Sequence, residues 1–408
     1  MADKELKVSK VPNLRFSQFT GEWEVKKLGE IATFSKGKGI SKSDIDESGI
    51  TKCIRYGELY THYREIINDV KSKTNVDIST LILSEENDVI IPASGETSID
   101  IATASCVLKS GIALGGDLNI IKTKNNGIFL SYYLNSKKKI EIANLAQGIS
   151  VVHLYSSQLA SLSLSLPKLN EQNRISSFLA LLDERIQTQN KILKELDVLK
   201  KSISYRIFSQ KSKFTAFEGH ESQKWQPTKL QQVCEIFGGG TPDTNRQEYW
   251  KGDIQWFTPT EIKRNFVSKS ERTITALGLK NSSAKLLPKG TILLTTRATI
   301  GETSIAIVEC ATNQGFQSLV TKENCYNIFL FYWLKNNKQE LKKRANGSTF
   351  AEISKAALEK IEIKLPSLEE QIKIASFLLS IDTKIDIESQ YLEKLEQEKQ
   401  FLLKQMFV

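Results

Sequence analysis

From Ile175 onward the apolar positions fall at Ile175, Leu179, Leu182 and Ile186, then at Leu193 and Leu196, then at Ile203 and Ile207. They alternate three and four apart, with Gln189 and Lys200 standing where the series calls for an apolar residue. That spacing is the a/d stripe of a coiled-coil seam. A second series runs Ile374, Leu378, Ile381, Ile385, Leu392, Leu395, Leu402 and Met406, broken at Glu388 and Lys399, the positions equivalent to Gln189 and Lys200. Pro167 and Pro366 block helix upstream, and Ser367-Leu368-Glu369-Glu370 has the Ser-x-x-Glu form that satisfies the first free amides of a helix. The pattern predicts two helices that start just after the prolines. From Ile175 to Ile207 the first would extend about 50 Å at 1.5 Å per residue, and so long and narrow a stripe needs a partner. The nearest candidate is the other copy, paired antiparallel within one chain. The alternative is an ordinary amphipathic helix packed on its own domain. Gln189, Lys200, Glu388 and Lys399 either fix the register of the pair or face solvent where the helices diverge.

The two seams belong to a larger repetition with a displacement of about 200 residues, a feature that decides the fold before any single element does. Leu166-Pro167-Lys168-Leu169-Asn170-Glu171-Gln172 returns as Leu365-Pro366-Ser367-Leu368-Glu369-Glu370-Gln371, and Ile175-Ser176-Ser177-Phe178-Leu179 as Ile374-Ala375-Ser376-Phe377-Leu378. Asn126 through Leu134 reappears more faintly as Tyr326 through Leu334, and Trp23 through Leu28 as Trp225 through Leu230. Between these anchors the copies part: Cys53 through Leu59 leaves only a trace in Trp256 through Ile262. A repeated frame with unlike interiors is what a molecule needs to present two different surfaces from equivalent positions. Drift after an old duplication gives the same pattern.

Residues from about 20 to 160 and from about 222 to 360 alternate short apolar runs with turn residues, as in Asp88-Val89-Ile90-Ile91-Pro92 and Gly290-Thr291-Ile292-Leu293-Leu294, and predict strands. Near the end of each region comes a helical run with aromatics (Phe129, Tyr132, Tyr133; Phe329, Tyr332, Trp333), expected to be core. A basic stretch follows each: Lys137, Lys138 and Lys139, then Lys342, Lys343 and Arg344. The expected fold class is α+β, with two pseudo-repeated mixed α/β domains (1–165 and 211–363) separated by two long helices (166–210 and 364–408) that form an antiparallel coiled coil.

Hydrophobic residues make up 40% and charged residues 25%, and no window approaches the eighteen or so apolar residues of a membrane span. The charged start, Met1 through Lys7, lacks the apolar stretch of a secretory signal, so the expected location is the cytoplasm. Cys53, Cys106, Cys234, Cys310 and Cys325 form no Cys-x-x-Cys pair, and His62, His153 and His220 stand far apart. Neither a disulfide framework nor a metal site is expected, and the thiols are read as buried and reduced. The net charge of +9 is shared evenly, 28 basic against 24 acidic residues in 1–210 and 28 against 23 in 211–408. Both halves therefore suit a polyanion. Lys137, Lys138, Lys139, Lys342, Lys343 and Arg344 have the character of phosphate contacts, which orient a protein on a duplex without reading sequence. Reading bases needs paired donors and acceptors, and Arg55, Arg64, Arg246, Arg264, Arg297, Asn313 and Gln314 have that chemistry.

Taken together, these residues make the chain resemble the specificity subunits of type I restriction-modification systems over essentially its full length. The resemblance is carried by the duplicated Leu-Pro-x-Leu-x-Glu-Gln start of a heptad helix (Leu166 to Leu179, Leu365 to Leu378) and the Trp-x-x-x-x-Leu opening of each variable domain. The second domain adds Gly238-Gly239-Gly240-Thr241-Pro242, Ser283 through Gly290, and Arg297-Ala298-Thr299-Ile300-Gly301. The first departs, with Phe34-Ser35-Lys36-Gly37-Lys38-Gly39 and Pro92-Ala93-Ser94-Gly95-Glu96 in those places. The resemblance implies that each variable domain is a target recognition domain for one half of a split double-stranded DNA site. It also implies that the helix pair sets the gap and docks two methyltransferase subunits, joined by motor-nuclease subunits. S-adenosylmethionine, ATP and magnesium then belong to those partners, and the chain itself is no enzyme and holds no cofactor. In keeping with this, neither a Gly-x-x-x-x-Gly-Lys-Ser/Thr phosphate loop nor an Asn-Pro-Pro-aromatic methyltransferase signature occurs in the sequence.

Two rivals stand beside this reading. Pro242-Asp243 followed by Glu261-Ile262-Lys263 has the form of a magnesium-dependent nuclease motif, although Tyr60 occupies the place of Lys263 in the first copy. The other rival is a coiled-coil scaffold that binds only proteins.

Overall fold

A computed structural model describes residues 11–148, 151–210, 224–297, 299–345 and 352–408. The chain divides into two compact units, Met1–Asn190 with Gln390–Val408, and Lys191–Ser389. Both cuts fall inside a long helix, Leu169–Phe208 in one case and Leu368–Gln405 in the other. Each unit therefore contains the first half of one helix and the last part of the other.

The first unit is built on a five-stranded sheet ordered Ala32–Lys36, Leu118–Thr123, Asp88–Pro92, Ser105–Val107, Ile66–Ile67, antiparallel except for the last pair. The sheet is covered on both faces, so its central strand reads as an unbroken apolar run rather than an alternation. Val89, Ile91 and Ile121 point into one core with Trp23, Phe129, Tyr132 and Tyr133; Ile90 and Ile120 point into the other with Ile54, Leu59 and Leu114. The second unit repeats the design: Cys234–Gly238, Phe316–Thr321, Ile292–Thr295, Thr303–Ala306, Phe266–Val267, again with only the last pair parallel. Ile292 and Leu294 face Phe329 and Phe331, while Leu293 faces Phe257 and Phe316. A three-stranded sheet accompanies each, Lys73–Thr74, Thr51–Ile54, Ala113–Leu114 in the first unit and Arg272–Ile274, Trp250–Phe257, Cys310–Thr312 in the second. The aromatics expected in the core are there, all six buried.

The repeated Glu-Gln at the start of each long helix ties that helix to its own domain. Gln172 receives the amide of Asn126 at 3.0 Å and donates to the Pro167 carbonyl at 2.9 Å; Gln371 receives the amide of Tyr326 at 2.8 Å and donates to the Pro366 carbonyl at 3.0 Å. Glu171 holds Arg15 through two 2.7 Å bonds and accepts from the Trp23 indole, and Glu370 accepts from the Trp225 indole at 3.0 Å. The distant matches in the sequence, Trp23 with Trp225 and Glu171 with Glu370, are thus two ends of one contact.

The seam residues split by position. Ile175, Leu179, Leu182 and Ile186 share a core with Leu395, Leu402 and Met406 in the first unit, and Ile374 and Leu378 share one with Ile207 in the second. Leu193, Leu196, Ile381, Ile385 and Leu392 are half-buried. Each helix thus packs on its own domain and also against the other helix, so the two alternatives left by the periodicity are both realised, in different stretches. The direction of pairing is antiparallel. Lys399, late in the second helix, lies 2.7 Å from Asp183, early in the first, while Lys200, late in the first, pairs with Asp382, early in the second. Gln189 is buried, and Lys200, Lys399 and Glu388 are largely covered, so the interruptions of the seam do not face solvent.

In the first unit the aromatic helix Gly127–Tyr133 passes through a π turn, Leu134–Lys138, into Lys139–Leu145. Lys137, Lys138 and Lys139 therefore lie within the helical run rather than after it, because the widened turn admits an extra residue without ending the helix. In the second unit the helix Asn327–Asn336 gives way at Asn337 to Lys338–Lys343, which carries Lys342 and Lys343.

Candidate nucleic-acid interface

In the second unit, four loops meet at one end of the sheets, drawn together by glycines. Gly240 donates to the Thr312 carbonyl at 2.8 Å, and Gly239 passes so close that a Cβ there would lie 1.9 Å from the Asn313 carbonyl oxygen. A side chain at Gly239 is therefore excluded. Thr296 donates to the Gly315 carbonyl at 2.8 Å, and Asn313 to that of Phe257 at 3.1 Å. This places Arg297, Asn313 and Gln314 together beside Thr241 and Thr258-Pro259-Thr260. Asn313 accepts the Gly315 amide on its Oδ1 at 2.8 Å, and Gln314 accepts the Thr241 hydroxyl at 2.5 Å. Arg297 is half-exposed and pairs with Glu352 at 2.9 Å. Lys338 pairs with Glu302 across the turn that follows Arg297, which brings the helix of Lys342 and Lys343 against the same group of loops. Lys342, Lys343 and Arg344 are exposed, the last two beside Glu340.

The first unit repeats the crossing with other residues. Lys38 donates to the Leu114 carbonyl at 2.9 Å, a Cβ on Gly37 would lie 2.0 Å from the Gly115 carbonyl oxygen, and Ala93 donates to the Asp117 carbonyl at 2.8 Å. Here the loops leave an open cleft of about 700 Å³, lined by Gly39, Ile40, Ser41, Lys42, Asp44, Arg55, Tyr56, Gly115, Gly116 and Asp117. Arg55 is thus brought to the loops, as Arg297 is in the second unit. Lys42 and Asp117 were not legible as candidates, and the only trace of them in the sequence is their proximity to the glycine pairs Gly37/Gly39 and Gly115/Gly116.

The remaining candidates lie elsewhere. Arg64 and Arg264 are exposed at equivalent edge positions, their carbonyls held by the buried hydroxyls of Ser105 and Ser304 at 2.6 and 2.5 Å. The residues after them, Glu65 and Asn265, bond Lys399 and Asp382 of the helix pair at 3.2 and 2.7 Å, so both arginines stand beside the helices. Arg246 is exposed near Glu248, and Lys138 pairs with Glu141. Arg272 was missed; its guanidinium lies 3.5 Å over the Trp250 ring.

The nuclease motif is not assembled. Glu261 accepts the amides of Thr258 at 2.6 Å and Glu271 at 2.7 Å, one on each carboxylate oxygen, and so caps a turn. Glu58 does the same for Arg55 at 2.7 Å in the first copy. Asp243 turns to the Asn245 amide at 2.9 Å. Among the described residues no three His, Cys, Asp or Glu cluster as a metal site, and no helix is long and apolar enough to cross a membrane.

The family model for the type I restriction modification DNA specificity domain matches twice, at residues 20–198 and 222–397. The chain belongs to this family. Each match takes in one sheet assembly and most of the helix after it, so the unit recognised by the family is the one the chain repeats. The type I restriction enzyme MjaIX specificity subunit of Methanocaldococcus jannaschii is 38% identical over 47% of this chain and 45% of its own length. The chain thus spans less than half of that relative. The MjaVIII specificity subunit of the same organism is 25% identical over 94% of this chain and 91% of its own. The crystal structure of a type I restriction-modification system S subunit from M. genitalium superposes with a TM-score of 0.64, at 16% identity, over 98% of this chain and 99% of that one. The fold is therefore shared over nearly the full length.

Proposed function

We propose that this chain is the DNA-recognition subunit of a type I restriction-modification complex. Each variable domain reads one half of a bipartite double-stranded target, and the helix pair sets the unspecified gap and docks methyltransferase subunits. The observation that carries this is the repetition of one scaffold, down to the glycine crossing and the turn-capping Glu58 and Glu261, around loops that carry different residues, Arg55 in the first copy where the second has Thr258. In this reading the chain has no catalytic centre. S-adenosylmethionine serves the two methyltransferase subunits, ATP and magnesium serve the motor-nuclease subunits, and the whole works in the cytoplasm. Exposed Lys137 in the first unit and exposed Lys342, Lys343 and Arg344 in the second supply phosphate contacts that position the domain, while the loops supply base contacts.

The test is an exchange of residues 222–360 for a divergent second domain, followed by genome-wide methylation mapping with the methyltransferase present. One half of the methylated motif should change while the other half stays. A change in both halves, or in neither, overturns the reading. A scaffold that binds only proteins predicts no sequence-selective methylation at all.

A further inference from the structure

The cleft of the first unit holds an arginine with nothing to do. Arg55 Nε is buried yet meets no hydrogen-bond partner, and the guanidinium makes no ion pair among the described residues. A buried donor left unpaired is destabilising, and an arginine kept in that state at the wall of an open cleft, with no ion pair of its own among the described residues, is in place to meet a ligand there. Asp117, which lines the same cleft, is exposed, and its carboxylate has no partner among the described residues. Asp44 is already engaged by the amide and hydroxyl of Ser41, both at 2.7 Å. The backbone here is also strained: Gly39 and Ile40 are consecutive left-handed residues, with φ of 62° and 58°. For a β-branched residue this conformation is costly and is found where the surroundings impose it. The neighbours of Ile40 do so by burying it with Cys53, Leu81 and Ala113.

The charge of the cleft decides what it takes. Lys42 and Arg55 are offset by Asp44 and Asp117, so this is no phosphate site, which would gather cations alone. A donor fork and a free acceptor on the same cleft instead match the edge of a G·C pair, where guanine offers O6 and N7 and cytosine an amino group. We propose that Arg55 reads guanine in the half-site of the first domain through its forked guanidinium, with Asp117 accepting from a cytosine amino group in the same groove. The second domain lacks this contact. Thr258 occupies the position of Arg55, and its hydroxyl is bonded to Glu261 at 2.7 Å, so the shared scaffold presents different chemistry from equivalent places.

This assignment rests on the DNA-recognition reading, and the experiment separates the two. The complex assembled with methyltransferase subunits is mapped by genome-wide methylation, and the half-site left unchanged by exchange of 222–360 is assigned to the first domain. That half should contain a G·C pair at which Arg55→Ala loses discrimination, lowering methylation of the original motif roughly ten- to hundredfold relative to the other three bases at that position. The other half and the gap should stay as they were. Arg55→Lys, which keeps the charge but not the fork, should weaken the same position and no other, and it carries the test if the alanine variant melts below working temperature. An unaltered motif with either folded variant, or a first half-site without G·C, overturns the assignment of Arg55. Absence of any bipartite motif with the wild-type chain overturns the function itself.

Discussion

Burial governs the chemistry of the cysteines. All five are free and buried, and desolvation pushes the thiols of Cys106, Cys234, Cys310 and Cys325 up to about 12 and that of Cys53 to about 11, from an ordinary 9.0. The folded protein should therefore resist alkylation at pH 8, whereas unfolded chain should react at all five positions; rapid reaction of the native protein would contradict the burial. The sign of the pH effect follows. The unfolded thiols ionise above pH 9 while the folded ones stay protonated, so stability is complete below about pH 9 and falls between about 9 and 12, which a series of denaturant midpoints can follow. Scattered cysteines without a pairing pattern were enough to expect buried thiols. The unpartnered Arg55 was not legible in that way, since its isolation depends on what three separate stretches of chain leave around it.

At the scale of the element, the two long helices are joined by a reciprocal exchange. Asp183 accepts from Tyr132 at 2.5 Å and meets Lys399, while Asp382 accepts from Tyr332 at 2.6 Å and meets Lys200. Each lysine also lies over the ring of that tyrosine, at 5.5 and 5.8 Å. The interval from Asp183 to Lys200 equals that from Asp382 to Lys399, so the antiparallel register that satisfies one pair satisfies the other. Lys399→Met leaves Asp183 without its cation at a site only 8% exposed, and should cost about 3 kcal/mol in chemical denaturation. Asp183→Asn combined with Lys399→Met should cost clearly less than the sum of the two single changes, and strict additivity would show that the pair does not couple. The heptads disclosed the lysines as interruptions. The aspartates went unnoticed, because a charged residue flanking a seam looks like any solvated position until the partner helix is in place.

For the whole molecule, the consequence of that register is a length. Four residues inserted after Leu193 alone cannot keep both ion pairs, and should blur or shift the gap between half-sites without changing their base content. A matching insertion after the equivalent Leu392 restores both pairs and adds about 6 Å of helix. That corresponds to roughly two base pairs at 3.4 Å each. Methylation mapping reads the gap directly, and a change in the bases of either half-site with an unchanged gap would refute the role of the helices.

By itself the sequence determined the duplicated frame, the two helices and their need for a partner. Heptad spacing, proline stops and the Trp and Glu-Gln anchors are local or simply repeated, and each acts through a periodicity that survives without knowledge of the rest. Only the tertiary structure decided that Gln172 and Gln371 brace the helix starts, that Glu261 caps a turn, and that Arg55 and Arg297 stand among the loops while Arg64 and Arg264 stand beside the helices. Those outcomes depend on strand pairings between residues far apart in sequence and on glycine crossings where one loop passes within van der Waals distance of another. Residue type supplies the donor, and long-range packing determines what lies in front of it.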